Sequence, residues 1–208
     1  SSATVYGSPE TVPINESCAL GVTNPYGRTK LVIEDMLRDL CASDGAWSAV
    51  LLRYFNPVGC RESGLLHENP KGIPNNLMPR ILQSAKGEID CLKVMGDDYN
   101  TPDGTCIRDY IHVVDLAKGH VCALRYAFEN SGAVAVNLGT GNGYSVLELI
   151  HAFERVNNVE VPYVVTGRRV GDVAECYADT SLAAKLFGWR AEHSIEDMCR
   201  DSWKGANI

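Results

Sequence analysis

Short apolar segments of strand length alternate with amphipathic segments of helical length along this sequence. The clearest strand candidate is the run AVLLRY at 49–54, which is mostly apolar and stops at Asn56-Pro57. Such a run is typical of a parallel strand covered on both faces, and strands that alternate with helices indicate an α/β sheet. We expect further strands at 91–95, at 134–138 and at 163–165, the last being the final strand.

The sequence opens in what reads as the middle of a strand. Residues 3–6, ATVY, have the composition of a strand end, and Gly7-Ser8-Pro9 would interrupt the strand there. Because no helix or strand precedes this segment, we expect that N-terminal sequence is missing.

Capping residues predict where the helices begin. Asn24 followed by Pro25 is expected to start the first helix, and a second should follow Asn76. Asp115 is expected to cap another, and Ser145 with Glu148 three residues later has the pattern of a capping box. Two short helices should close the chain, one ending at Gly188 and one starting after Ser194.

The first helix has an apolar stripe at helical spacing and a charged stripe opposite to it. We expect the apolar stripe to face inward and the charged stripe to face solvent. The apolar stripe is Ile33, Met36, Leu37, Leu40 and Cys41, and the charged one is Glu34, Asp35, Arg38 and Asp39.

The composition argues against several classes of protein. The 208 residues are 45% hydrophobic, enough for a sizeable core, and the net charge of -7 argues against a nucleic-acid-binding surface. No segment has the ~20 apolar residues that a membrane-spanning helix needs. The eight cysteines lack C-x-x-C spacing and the five histidines lack an H-E-x-x-H pattern, so we expect free thiols, no metal site and a cytoplasmic protein.

The strongest local indication of catalysis is the segment YGRTK, which begins at Tyr26 and ends at Lys30. In a helix these two side chains emerge on the same face. A phenol is a poor base at neutral pH, but a neighbouring ammonium favours the phenolate. Ser2 at the predicted strand end could bridge the same substrate hydroxyl, because ligands of α/β proteins gather at the carboxyl ends of strands. Taken alone, the Tyr-Lys pair is more often an exposed surface pair.

Ser2, Tyr26 and Lys30 resemble the Ser-Tyr-Lys triad of the extended short-chain dehydrogenase/reductase superfamily. Longer segments narrow the resemblance to the UDP-galactose 4-epimerase family, occur in that family's order and cover nearly the whole chain. They are SATVYG at 2–7, RYFNP at 53–57, GIPNNLMP at 72–79, DGT at 103–105, RDYIHV at 108–113 and RRVGD at 168–172.

The resemblance implies an α/β protein with two domains. Residues 1–56 would be the C-terminal part of a Rossmann-type, NAD-binding parallel-sheet domain whose N-terminal part is missing. Residues 57–208 would mainly form a smaller α/β domain for the nucleotide sugar, with about 107–140 returning to the Rossmann sheet. The family's Gly-rich NAD loop is absent from the 208 residues, so we expect this chain alone to hold only the nicotinamide end of NAD and to be inactive.

The reaction implied by the resemblance is the NAD-dependent interconversion of UDP-galactose and UDP-glucose by transient oxidation at carbon 4. Tyr26 would take the proton of the 4-hydroxyl while Ser2 holds that hydroxyl, and carbon 4 would pass hydride to NAD. The 4-keto sugar would then present its other face before hydride and proton return. Lys30 would tune Tyr26 and bond the nicotinamide ribose, and Tyr54 and Phe55 would line the nicotinamide.

The substrate's uridine diphosphate would supply most of the binding energy, because the sugar ring has to turn over in the site. Arg108 and Arg169 are permanent cations suited to a diphosphate, although each alone could be a surface ion pair. Asp172 can accept from ribose hydroxyls. The predicted substrate-binding residues are Ser2, Ala3, Thr4, Tyr54, Phe55, Asn56, Asn75, Asn76, Leu77, Lys93, Val94, Met95, Arg108, Arg169, Val170, Gly171, Asp172 and Cys176.

Cys176, Val170 and Tyr144 bear on the resemblance in different ways. Cys176 falls where the family carries either a bulky Tyr or a small residue, and a small side chain implies activity on UDP-GalNAc and UDP-GlcNAc as well. Val170 replaces the family's usual Glu. The segment GTGNG at 139–143 resembles a dinucleotide-binding loop, but Tyr144 stands where that motif needs its third Gly, so we expect a tight turn.

Two alternatives to an epimerase stay open. A 4,6-dehydratase, a decarboxylase or another nucleotide-sugar enzyme could share this fold, although dehydratases place an Asp-Glu pair after the triad Ser/Thr, where this chain has Ala3-Thr4. A noncatalytic binding protein would be favoured by loss of Tyr26 or Lys30, and both are present. The resemblance also implies a homodimer packed through the Tyr26 helix and its neighbour.

Overall fold

The computed structural model describes residues 1–207, which form six α-helices, nine short strands and one 3₁₀ helix. The helices are α1 (Pro25–Ser43), α2 (Leu77–Ala85), α3 (Val113–Glu129), α4 (Val146–Asn157), α5 (Ser181–Phe187) and α6 (Ile195–Ala206). The strands are β1 (Ser48–Tyr54), β2 (Asn56–Val58), β3 (Leu92–Met95), β4 (Ile107–Arg108), β5 (Tyr110–His112), β6 (Gly132–Leu138), β7 (Tyr144–Ser145), β8 (Tyr163–Thr166) and β9 (Glu175–Cys176). Within this part of the chain, no helix combines the length and the apolar character needed to cross a bilayer.

Parallel pairing dominates the sheets and confirms the predicted α/β class. β1 pairs with β6 over seven positions, from Ser48 opposite Gly132 to Tyr54 opposite Leu138. β2 pairs with β5 and β3 with β8, both in parallel. β4 is parallel to β9 and antiparallel to β7. Each parallel pair joins segments far apart in sequence, as crossover connections through helices require.

The prediction of a strand at 3–6 is wrong, because the structure has a 3₁₀ helix at Ala3–Tyr6. Only Ser2 is extended, and it forms an isolated parallel bridge with Tyr54. The Ser2 hydroxyl accepts from the Thr4 amide at 3.3 Å and starts the turn. Gly7 ends it at φ 62°, where an added Cβ would collide with the carbonyl of Gly21.

Two other strand predictions need correction. The chain does not leave the sheets at Asn56-Pro57, because Asn56–Val58 is itself strand β2. Its backbone changes partner there: the Phe55 amide donates to Leu138 O of β6, and the Asn56 amide donates to Asp109 O beside β5. The strand predicted at 163–165 is present as β8, but β9 at Glu175–Cys176 follows it as the last strand.

Helix α1 begins as predicted, but its buried residues are Gly27, Glu34 and Cys41 rather than the apolar stripe as a whole. Asn24 caps it by accepting from the Gly27 amide at 2.8 Å, and Pro25 takes the first position. The expectation of an inward apolar stripe is wrong for most of its members, since Met36 is 63% exposed and Ile33 is also exposed. Glu34, predicted to face solvent, is fully buried, because its carboxylate is paired with Arg53 of β1.

The cap of α3 is also different from the prediction. His112 is the N-cap, and its Nδ1 accepts from the Val114 amide at 3.1 Å. Asp115 lies in the first turn and instead accepts from the amides of Glu192 and His193, at 2.9 Å each. The helix after Asn76, the capping box of α4 and the two closing helices are confirmed.

The core consists of three clusters of buried apolar side chains. One lies between the β1–β6 pair and helices α3 and α5, and includes Leu52, Ile111, Val136 and Leu138. A second surrounds α2, α4 and α6, and includes Ile81, Leu92, Leu149, Phe153 and Met198. A third surrounds the 3₁₀ helix, and includes Val5, Ile14 and Phe55. We propose from the separate clusters that the domains divide at 56/57, with about 107–140 returning to the first sheet.

Candidate active site

Two adjoining cavities lie where β1 ends and β2 begins. The first, here called the Tyr26 chamber, has a volume of about 450 Å³. The second, the Lys93 chamber, has a volume of about 410 Å³. Their common wall contains Asn56, Pro57, Asn76, Arg108, Arg169 and Asp172. A single elongated ligand could therefore occupy both chambers and contact this wall along its middle.

The Tyr26 chamber contains two members of the predicted triad. Tyr26 stands in the first turn of α1 and is 56% exposed, so its phenol is accessible to a ligand. Ser2 lines the same chamber from the bridge that joins it to Tyr54. The Lys30 ammonium lies 5.2 Å from the centroid of the Tyr26 ring, as the four-residue spacing predicts. Lys30 does not belong to the lining of either chamber as far as residues 1–207 define it.

Tyr54, Phe55 and Asn56 enter the Tyr26 chamber from the end of β1. The Tyr54 hydroxyl lies 2.6 Å from His120 Nε2, and His120 Nδ1 lies 2.8 Å from the Leu116 carbonyl. Because a carbonyl can only accept, Nδ1 carries the proton and the Tyr54 hydroxyl donates to Nε2. Burial and the nearby Tyr26 raise the pKa of Tyr54 above its usual range, so this hydroxyl stays a donor.

Two arginines and one aspartate form the polar part of the shared wall. Arg169 donates from Nε and Nη2 to the Asp172 carboxylate at 3.1 and 2.8 Å, and this pairing raises the pKa of Arg169. Arg108 Nη2 lies 3.8 Å from the same carboxylate. Two cations beside one anion leave a net positive charge at this wall, which suits a ligand with several negative oxygens.

The Lys93 chamber contains the other predicted nucleotide contacts. Asn75, Asn76 and Leu77 line it at the start of α2, and Lys93, Val94 and Met95 line it from β3. Asn76 is the N-cap of α2 but makes no capping bond with its side chain. Its side-chain nitrogen Nδ2 instead donates to Glu68 Oε1 at 3.2 Å, on the protein surface.

The structure brings most predicted site residues together, with Lys30 and Val170 as exceptions. Val170 is 101% exposed. It is absent from the linings of both chambers, which are defined over residues 1–207. Its neighbours Arg169, Gly171 and Asp172 do line the Tyr26 chamber. Prediction from motifs missed further lining residues, of which Asn24 was identified only as a helix cap. These residues include Gly7, Thr23, Asn24, Pro57, Val58, Arg80, Cys106 and Val173.

The segment at 139–143 is a turn between β6 and β7, as predicted. The buried Asp109 carboxylate accepts from the amides of Thr140 and Gly141 at 2.8 and 3.0 Å, and from that of Ala178 at 3.1 Å. These amides are therefore already engaged and do not form an anion-binding loop.

Side chains that could ligate a metal ion are not clustered in the part of the chain that the structure describes. No group of three or more His, Cys, Asp or Glu side chains within residues 1–207 could hold a metal ion. All eight cysteines lie in the same part of the chain and are free thiols.

Sequence comparison finds relatives over nearly the whole chain. A UDP-glucose 4-epimerase of Dictyostelium discoideum is 58% identical over 209 residues, which cover 100% of this chain and 61% of the relative. One from Bacillus subtilis is 58% identical over 98% of this chain and 60% of its own length. The chain thus spans about 60% of the length of the curated relatives that it matches.

Structural comparison agrees with the sequence comparison. A UDP-glucose 4-epimerase from Stenotrophomonas maltophila, solved with NAD and formylated UDP-arabinopyranose, superposes with a TM-score of 0.97 at 50% identity and covers 100% of this chain and 62% of its own. One from Bifidobacterium longum, in complex with NAD⁺ and UDP, superposes with a TM-score of 0.95 at 54% identity, with the same coverage.

A family model gives the broadest assignment. The model described as GDP-mannose 4,6 dehydratase matches residues 1–202, which is nearly all of the sequence. The chain therefore belongs to the GDP-mannose 4,6 dehydratase family and is similar over its whole length to UDP-glucose 4-epimerases.

Proposed function

We propose that this chain is the catalytic and substrate-binding part of an NAD-dependent enzyme that interconverts UDP-galactose and UDP-glucose. One observation carries the proposal: the chamber with Ser2 and Tyr26 adjoins a second chamber across a wall that contains Arg108 and Arg169. A nucleotide sugar has a matching division, with the sugar at one end, the nucleoside at the other and the diphosphate between them. The identity of 58% to UDP-glucose 4-epimerases supports the same substrate.

The shared wall is suited to hold the substrate by its diphosphate. Arg108 and Arg169 supply permanent guanidinium donors that can bind phosphate oxygens in pairs. Asn75, Leu77 and Lys93 would then line the nucleoside. Binding energy from this remote part would leave the hexose free to turn in the Tyr26 chamber.

The residues of the Tyr26 chamber fit the nicotinamide end of NAD. Tyr54 and Phe55 offer aromatic surface, and the Lys30 ammonium beside Tyr26 can donate to a ribose hydroxyl. Bound NAD would take up the hydride of carbon 4 and give it back. In the neighbours from Stenotrophomonas maltophila and Bifidobacterium longum this cofactor is present.

The side chains in the chamber and Lys30 beside it have distinct proposed tasks. The Tyr26 phenolate accepts the proton of the sugar's 4-hydroxyl and later returns it, and Ser2 holds that hydroxyl in place. The Lys30 ammonium stabilises the phenolate electrostatically. Thr4, a predicted substrate contact, lines the chamber, and its buried hydroxyl lacks a hydrogen-bond partner among the described residues.

The description of the family model names a dehydratase, which is the main alternative. Elimination of water needs a proton donor and a base beside carbons 5 and 6, in addition to the tyrosine. The dehydratase Asp-Glu pair is replaced by Ala3-Thr4, and both of these residues line the Tyr26 chamber. The side chains of Ala3 and Thr4 carry no carboxyl group and cannot supply that acid and base, so the residues at these positions favour epimerisation.

Two exposed apolar surfaces support the proposed homodimer. Ile33 and Met36 are exposed on α1, and Leu124 and Phe128 are exposed on α3, with Phe128 at 88%. Exposed apolar area of this kind is typical of protein–protein contacts, and light scattering of the full-length protein would show a monomer if the proposal is wrong.

We also propose that the enzyme is cytoplasmic, which its free thiols support.

Direct conversion tests the proposed function. The full-length protein that carries this sequence should convert UDP-galactose to UDP-glucose, as followed by chromatography of the nucleotide sugars. Tyr26→Phe should lower kcat by about 100-fold or more, since it removes a general base, and should leave the Kd for UDP nearly unchanged.

Tyr126→Phe is the matched control. Tyr126 packs against Phe187 and is not among the described residues that line the two chambers. This substitution also removes a phenolic hydroxyl, but from a residue outside the proposed active site, and it should leave kcat unchanged. Absence of UDP-glucose with the unaltered protein would refute the function. Equal activity of the two variants would refute the role of Tyr26.

A further inference from the structure

A buried carboxylate lies on α1 one helical turn after Lys30 of the proposed triad. Glu34 is fully buried on α1, eight residues after Tyr26 and four after Lys30, so the three side chains share one stripe of the helix. Its two oxygens accept four hydrogen bonds. Arg53 donates from Nε and Nη2 at 2.9 and 2.8 Å, Ser1 Oγ donates at 2.5 Å and Arg38 Nη2 donates at 2.7 Å.

These donors come from the segments that carry the proposed catalytic residues and from the strand that carries Tyr54. Ser1 immediately precedes Ser2, and Arg53 immediately precedes Tyr54. Glu34 itself belongs to the helix of Tyr26 and Lys30. One carboxylate therefore ties together three segments that are otherwise separate in sequence.

The network behind this carboxylate is fixed by further buried bonds. Arg53 Nη1 also donates to the Tyr6 hydroxyl at 2.9 Å, and that hydroxyl donates to Asn137 Oδ1 at 2.6 Å. Burial would raise the pKa of Glu34, but hydrogen bonds from Arg53 and Ser1 outweigh it and lower the pKa to about 2. The carboxylate is therefore ionised throughout the neutral range, and a fully satisfied buried network of this kind is rigid.

The Ser1 hydroxyl has a different part in this network from the two arginines. The guanidinium of Arg53 already neutralises Glu34, and Arg38 adds a second cation from the same helix. Ser1 contributes no charge. Its bond connects the Ser2 segment to α1, so its effect is on the relative position of Ser2 and Tyr26.

We propose that Ser1 and Glu34 are positioning residues that hold the Ser2 hydroxyl against the Tyr26 phenol. The inference rests on the proposed function, because it assigns a task to the contact within that reaction. A displacement of reacting groups by about 1 Å can lower a rate by as much as 100-fold, so a single hydrogen bond next to the triad can control kcat.

The test compares two variants that each remove one short hydrogen bond to Glu34, in the full-length protein. Ser1→Ala removes the bond between segments, and Arg38→Ala removes a bond within α1. Ser1→Ala should lower kcat by about 10-fold or more, with KM for UDP-galactose, Kd for UDP and Tm close to those of the unaltered protein. Arg38→Ala should leave kcat within about twofold, and Ser1→Thr, which keeps the hydroxyl, should restore most of the activity.

Several outcomes would overturn the inference. One is a kcat of Ser1→Ala within about twofold of the unaltered protein, and another is equal losses in Ser1→Ala and Arg38→Ala. Parallel losses of kcat, UDP affinity and Tm in Ser1→Ala would show that the contact supports only the fold. Each of these outcomes leaves the proposed function intact as long as the unaltered protein converts UDP-galactose, whereas an inactive unaltered protein refutes the function itself.

Discussion

We expect the size of Cys176 to determine the room at the proposed sugar end of the site. It ends β9 and lines the Tyr26 chamber together with Ser2, Tyr26 and Asn56. Burial raises the pKa of its thiol to about 11, so the side chain is neutral and acts through its volume rather than its charge. In the proposed complex, a small neutral side chain at this position would leave space beside the sugar that a large ring would fill.

We expect the full-length protein to epimerise UDP-N-acetylhexosamines as well as UDP-hexoses. Cys176→Tyr should lower kcat/KM for UDP-GalNAc by about 100-fold, because the added ring occupies the space of the acetyl group, and should change that for UDP-galactose only slightly. Cys176→Ala keeps the space and should accept both substrates. The expectation is wrong if the unaltered protein already refuses the acetylated sugar.

Single residues of the site were predictable where local spacing determines their geometry. Tyr26 and Lys30 are four residues apart, and the ammonium lies over the phenol ring as a helix requires. The exposure of Val170 could not be predicted in this way, because its direction depends on how the loop between β8 and β9 folds. The pairing of Glu34 with Arg53 also escaped prediction, since it joins positions 19 residues apart.

Helix α1 shows why an amphipathic pattern does not reveal which face is buried. The apolar stripe with Ile33 and Met36 is exposed, while Glu34 on the charged stripe points into the protein. Burial of a carboxylate is favourable only with a partner, and Arg53 on β1 supplies one. The partner belongs to another element, so helical periodicity alone does not predict that Glu34 is buried.

The start of α3 depends on the protonation state of His112. Its Nδ1 accepts from the Val114 amide, so the proton is on Nε2, which lies 3.2 Å from Asp201 Oδ2 of α6. Burial and the ring of His193, stacked at 4.2 Å, lower the pKa of His112, although Asp201 and Asp115 oppose this. The folded state therefore favours the neutral imidazole.

We expect the protein to lose stability as the pH falls below about 6.5. The unfolded state takes up the His112 proton at its ordinary pKa, whereas the folded state resists it, so unfolding is favoured as the pH drops through the lowered pKa. His112→Asn keeps a capping acceptor without a titrating group. Between pH 7 and 5.5, Tm should fall further in the unaltered protein than in His112→Asn, by roughly 2 °C or more. Equal falls would contradict the expectation.

At the scale of the whole molecule, the alternation of strands and helices predicted the α/β class, whereas the strand partners were not predictable. β1 pairs with β6, from which it is separated by about 40% of the chain's length, and β3 pairs with β8 in a separate sheet. The Tyr26 chamber arises from this pairing, because residues of the 3₁₀ helix, of β1 and of the loop after β8 meet in its lining. Motif order could indicate that these residues share a function, but only the sheet order gives their arrangement.

The fate of the hydrogen on carbon 4 tests the proposed chemistry most directly. UDP-galactose deuterated at carbon 4 should be converted by the full-length protein, with the product analysed by mass spectrometry and NMR. We expect UDP-glucose that retains deuterium at carbon 4, because the hydride leaves and returns within the Tyr26 chamber without exchange with water. Loss of the deuterium to solvent, or a product other than UDP-glucose, would contradict oxidation and return at this site.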